Sequence, residues 1–168
     1  MNHIQLARYS LEHYVKTGKF AELPVDISAE LTSSQAGVFV CIKSHGQLRG
    51  CIGTIAPVTE SIAHEILRNA VSAACEDPRF PPVGESELAD LVYTVDVLAP
   101  PEQIDSLEML DVKRYGVIVT SGYKRGLLLP NLDGVNTIDE QLDIAMQKAG
   151  IREGEPVQLE RFEVVRYE

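Results

Sequence analysis

Two β-branched runs, Gly37-Val-Phe-Val-Cys-Ile-Lys43 and Leu48-Arg-Gly-Cys-Ile-Gly-Thr-Ile55, are separated only by Ser44-His45-Gly46-Gln47. No other feature restricts the fold as much. Runs of this kind joined through so short a glycine-containing link pair as an antiparallel hairpin, because Gly46 enters positive φ without a steric penalty. The neighbouring patterns agree with a hairpin-built sheet. Ile4, Ala7, Leu11, Tyr14 and Val15 recur at helical spacing before Gly18, and Lys19 to Gln35 reads as loop with one short turn. Thr59 is expected to cap a helix running to residue 75, with Ile62, Ala63, Ile66, Leu67, Ala70, Val71 and Ala74 buried. The prolines of Asp77-Pro78-Arg79-Phe80-Pro81-Pro82 must end it. Leu91 to Leu98 has strand character, and Tyr115 to Thr120 pairs with Gly126 to Leu129 as a second hairpin. Thr137 and Gly150 bracket a last helix, and Val157 to Tyr167 reads as one strand with a bulge at Glu160-Arg161. The expected fold is α+β: a largely antiparallel sheet with about three helices packed on it, in a single compact domain over residues 1–168.

Charge and motifs exclude several functions. Fifteen Lys and Arg against 25 Asp and Glu give a net charge of −10, which disfavours nucleic acid and anionic membrane surfaces as partners. No apolar run is long enough for a membrane helix. Cys41, Cys51 and Cys75 are an odd number, and Met1 is not followed by a secretory apolar core, so reduced thiols in a cytoplasm are expected. Dinucleotide, phosphate-loop and serine-hydrolase signatures are absent. His64-Glu65 is followed four positions on from the histidine by Arg68, which opposes zinc, and no metal or cofactor is expected. His3, His13 and His64 read as surface residues, and Lys124-Arg125 as a solvated turn.

The candidate site is the second strand of the first hairpin. Glycine inside a strand is tolerated at bulges or where something approaches the backbone, and here Gly50 and Gly53 flank Cys51. Strand alternation puts Arg49 and Cys51 on one face about 7 Å apart, where a guanidinium favours thiolate. With Lys43 opposite Leu48, an unbroken ladder sets Cys41 across from Gly50 and Cys51 across from Val40, so no Cys41–Cys51 disulfide is expected. A helix returning antiparallel over the hairpin brings its C-terminal loop beside Arg49. His45, Arg49, Cys51, Asp77 and Arg79 then border one cleft suited to a small anionic molecule. The same residues also fit a packed, structural Cys51 with Asp77 and Arg79 pinning the helix end.

Leu48-Arg49-Gly50-Cys51-Ile52-Gly53-Thr54, then Asp77-Pro78-Arg79-Phe80-Pro81-Pro82, Gly126-Leu-Leu-Leu-Pro130 and Lys148-Ala149-Gly150 occur in the order found in the AMMECR-one domain family. That family includes the AmmeMemoRadiSam system protein A of prokaryotes, and the resemblance runs from about Gln35 to the C-terminus. It implies an α+β, cytoplasmic or nuclear protein without an assigned reaction, working with Memo-like and radical SAM partners. It also marks Leu48 to Gly53 and Asp77 to Phe80 as hallmark positions. Asn131 departs from it, since glutamine is usual after that proline. Two readings follow: an enzyme of unassigned chemistry with Cys51 as a reactive cysteine, Arg49 as its activator and Arg79 as anion clamp, or a non-catalytic binding or adaptor domain with Cys51 structural. A third, purely architectural reading pairs Arg49 with an acid.

Overall fold

A computed structural model describes residues 1–168. The chain divides into two compact units, Met1–Leu98 with Val165–Glu168, and Ala99–Val164. No helix is long and apolar enough to cross a membrane.

The first unit begins with helix α1, His3–Thr17, capped by Asn2 and ended by Gly18 at φ 72°. A short helix α2, Ala29–Ser33, occupies part of the segment expected to be loop. Strands β1, Gly37–Ser44, and β2, Gln47–Gly53, form the expected hairpin, with His45 at φ 50° and Gly46 at φ 77° in the turn. Helix α3 spans Ile62–Cys75 and strand β3 Leu91–Leu98. A 3-10 segment, Glu85–Asp90, precedes β3. The sheet has the order β2-β1-β3-β8, where β8 is Val164–Tyr167. Val38, Val40 and Ile42 of β1 and Tyr93 and Val95 of β3 share one buried cluster with Leu6, Leu11, Ile66 and Ala70 from α1 and α3. Alternation then turns Phe39, Cys41 and Lys43 to the face away from those helices.

In the second unit, β4 Glu102–Ile104, β5 Gly116–Ser121, β6 Lys124–Leu128 and β7 Gln158–Phe162 make a sheet of order β4-β7-β5-β6. Helix α4, Ile138–Ala149, has its predicted caps, Thr137 and Gly150. Its Ala145 is buried with Val117, Val119 and Leu128. The α+β class with antiparallel pairing is as expected, but the strands are shared between two four-stranded sheets.

Four local expectations are corrected. The cap of α3 is Ser61 rather than Thr59, because Thr59 gives both its N–H and its hydroxyl to the Glu65 carboxylate and stays outside the helix. The terminal run is not one bulged strand: pairing continues through Glu160 and Arg161 and breaks at Glu163, and its halves join different sheets. His3 is buried and stacks on Tyr167 with ring centroids 3.6 Å apart, and this burial lowers its pKa. The hairpin ladder is not unbroken. Lys43 faces Leu48 but Ile42 faces Gly50, leaving Arg49 as an extra residue on β2. That bulge brings Cys51 opposite Cys41, and the two are joined as a disulfide, contrary to the expected register.

Candidate functional site

The site grows from the consequences of one extra residue. Beyond the bulge every β2 side chain is moved one position relative to β1, so Gly50 meets α3 and Cys51 meets Cys41. A side chain at Gly50 would run into the Ala73 carbonyl of α3, so the glycine is required by how closely the helix approaches. At Gly53 the space beside the backbone is filled by the ring of Phe39, not left open for a ligand. On the face away from α1 and α3 the register lays out three rows. Leu48, Lys43 and Val92 lie nearest the turn, then Cys51, Cys41 and Thr94, then Gly53, Phe39 and Asp96. Exposure falls along these rows, from Val92, which is 61% exposed, to Asp96, which is buried against Arg166.

Arg49 has an acidic partner in the 3-10 segment after α3. Its Nε donates to Glu87 Oε1 at 2.8 Å and Nη2 to Oε2 at 3.2 Å, a two-pronged pairing that lowers the Glu87 pKa. Nη1 of the same guanidinium is buried without a partner. The bulge frees the side chain for this pairing, since strict alternation past Leu48 would have set Arg49 opposite Ile42 on the face covered by α1 and α3.

Asp77 is the second organising group. Cys41 and Cys51, with Cα atoms 4.0 Å apart, occupy a close, non-hydrogen-bonded position of the ladder, so the Cys51 N–H points out from the edge strand. Asp77 Oδ2 accepts from that N–H at 3.0 Å, and the same carboxylate takes Nε and Nη2 of Arg79 at 3.0 and 2.8 Å. The Arg79 guanidinium, with smaller help from the two backbone N–H donors, brings the Asp77 pKa down to about 2 against the opposing effect of burial. Helix α3 therefore does return its C-terminal loop to the hairpin. The guanidinium carbons of Arg49 and Arg79 stand 6.0 and 5.5 Å from the Phe80 ring centroid. His45 lies at the turn, 3.6 Å from Asp90.

The structure thus brings Arg49, Gly50, Cys51, Asp77 and Arg79 to one edge of β2, with each cation already matched by a carboxylate of this chain. Arg49 is paired with Glu87, and Cys51 is bonded to Cys41. Cys75, at the end of α3, is the free cysteine, and burial raises its thiol pKa. No group of three or more His, Cys, Asp or Glu side chains is arranged to hold a metal ion.

Sequence reasoning missed Glu65. It is fully buried and accepts from the Val58 and Thr59 N–H groups at 2.5 and 2.7 Å and from the Thr54 hydroxyl at 2.8 Å. Asn69, one turn on, ties the same helix to the Val38 carbonyl at 2.9 Å. Together they fasten the segment after β2 to α3. The available signal was the helical spacing of Glu65 within the apolar stripe, where an acid needs donors.

The AMMECR1 family model matches residues 4–168. A protein of Thermotoga maritima is 50% identical over 159 residues, covering 94% of this chain and 91% of that protein. A protein of Clostridium acetobutylicum is 52% identical over 166 residues, or 98% of this chain, which spans only 35% of that longer protein. The crystal structure of the uncharacterized protein PH0010 from Pyrococcus horikoshii is similar with a TM-score of 0.90 and 34% identity, over 98% of this chain and 88% of the other. With the hairpin and the loop after α3 inside the matched span, the chain belongs to the AMMECR1 family.

Proposed function

We propose that this protein is a non-catalytic adaptor domain that binds Memo-like and radical SAM proteins in a cytoplasm. The observation that carries the reading is the internal closure of both arginines: Arg49 is forked onto Glu87 and Arg79 onto Asp77. A cleft built to clamp a small anion keeps its guanidinium forks free for the ligand, whereas here they hold the loop after α3 against an edge strand. The family's hallmark residues then act as the frame of a rigid corner. Next to that frame the first row of the sheet presents Leu48 and Val92 on either side of Lys43, with Leu48 41% exposed. Apolar side chains around one cation suit a protein surface carrying an acidic residue.

Isothermal titration of the purified chain with a Memo-like and with a radical SAM protein from the same genome tests this reading. Saturable binding to one of them, weakened at least about tenfold in a Val92→Glu, Leu48→Glu variant, is the expected result. Absence of binding to both partners overturns it. A small-anion reading retains one supporting observation, the unpartnered Nη1 of Arg49. Phosphate binding that is lost in Arg49→Gln would favour it.

A further inference from the structure

The cysteine pair is unlike a structural staple in where it sits. Cys41 and Cys51 are separated by 10 residues and belong to strands that the turn at His45 and Gly46 already joins. A link across only 10 residues removes less freedom from the unfolded chain than a long-range bridge would, because loop-closure entropy grows with loop length. Nor does the fold need it in order to hold β1. That strand is paired with β3 along its whole length, and Val38, Val40 and Ile42 are wholly buried under the helices. The ladder hydrogen bonds run through the backbone and do not involve the sulfurs. Both cysteines are only partly buried, and both lie on the face away from α1 and α3, beside the exposed row of Leu48, Lys43 and Val92.

We propose that Cys41 and Cys51 are a reversible thiol–disulfide couple, a modification site exchanged by a solution or protein dithiol while the domain stays folded. In the reducing direction a thiolate of the dithiol attacks one sulfur of the pair. The Cys41–Cys51 bond breaks, and a mixed disulfide forms. The second thiol of the reagent then displaces the protein sulfur and closes its own disulfide. Two electrons pass from the dithiol to the cysteines, and two protons end on the protein thiols. Oxidised reagent drives the reverse. Cys75, on the helix side of the sheet, takes no part. The Asp77 carboxylate bound to the Cys51 N–H places the loop from Asp77 to Phe80 directly next to the exchanging sulfur's own backbone.

The full chain, equilibrated in buffers running from wholly reduced to wholly oxidised dithiothreitol, is quenched in acid, denatured, labelled with N-ethylmaleimide and weighed intact. The expected record is three labels at the reducing end and one at the oxidising end. A single concerted transition should connect them, with the lost labels mapping to Cys41 and Cys51 and the circular dichroism unchanged throughout. A Cys75→Ser variant should give two labels and none. Three labels at every ratio would overturn the proposal, since the pair would never close. One label at every ratio would overturn it equally, since the bond would then be inaccessible to the reagent in the folded domain. Loss of the folded signal on reduction would make the bond a structural staple and also contradict it.

Discussion

Each unit sets a hairpin glycine against the backbone of the helix that covers it, Gly50 of β2 against Ala73 of α3 and Gly126 of β6 against Ala145 of α4. The two hairpins differ in register. In β5–β6 the pairing runs without interruption from Val117 and Leu128 to Ser121 and Lys124, whereas β1–β2 is shifted at Arg49. They differ as well in what their charges do. Arg125 on β6 reaches Glu160 at 3.5 Å with its side chain 47% exposed, while Arg49 on β2 is forked onto Glu87 with its side chain only 13% exposed. The regular hairpin is a wall for its helix. The bulged one turns consecutive side chains to different tasks: Arg49 to the loop after α3, Gly50 to the helix, and Cys51 to the opposite strand. One added residue accounts for all three.

The largest effect should come from what the two hairpins share. Gly50→Ala and Gly126→Ala each force a methyl group into a helix carbonyl, and each should cost about 3 kcal/mol in urea denaturation. Unchanged stability in either would mean that its helix leaves room for a methyl group beside the strand. The arginines should then separate the hairpins. Arg49→Ala removes a largely buried stem and a two-pronged bond, at a cost of about 2 kcal/mol, while Arg125→Ala should stay within about 0.5 kcal/mol. Equal losses would erase the distinction. The smallest effect concerns acid. The Asp77 pKa is lowered to about 2, so its contribution to stability is complete above the ordinary carboxylate range and disappears as the pH falls from about 4 toward 2. Because Arg79 is half exposed, the loss should be about 1 kcal/mol, and a pH series of denaturation curves should show it flattened in Asp77→Asn. A variant curve that keeps the full acid slope would assign that slope to other carboxylates.

The same contrast explains what the sequence made legible. Period and punctuation located α1, α3, α4, β3 and both hairpins, because Gly18, Gly46, Thr137 and Gly150 carry conformational signals that need no tertiary partner. The bulge has no such signal. Nothing in Leu48-Arg49-Gly50 says which residue is left unpaired; that is settled by the closeness of α3 to Gly50 and by the pull of Glu87, 38 residues away in sequence, on Arg49. A one-residue error there reverses the face of every following side chain, and for that reason the absence of a disulfide was misread. Thr59 and Glu65 show the same limit on a smaller scale. A threonine before an apolar stripe reads as a cap, and only the fold shows that a buried carboxylate has claimed it. The division of the last apolar run between two sheets at Glu163 likewise depends on partners remote from it. Asp77 and Arg79 were legible as neighbours of the hairpin from element lengths alone, because a helix packed back over a strand of similar length must return to where that strand began.

The register at Arg49 can be measured directly. In a close antiparallel pair the two Hα protons face each other, so a nuclear Overhauser spectrum of the folded protein should show a strong Hα–Hα contact between Cys41 and Cys51, with Arg49 lacking a cross-strand partner. A strong Hα–Hα contact from Cys41 to Gly50 in its place, with Ile42 and Arg49 paired through backbone hydrogen bonds, would restore the unbroken ladder and contradict the bulge on which the arrangement of this corner depends.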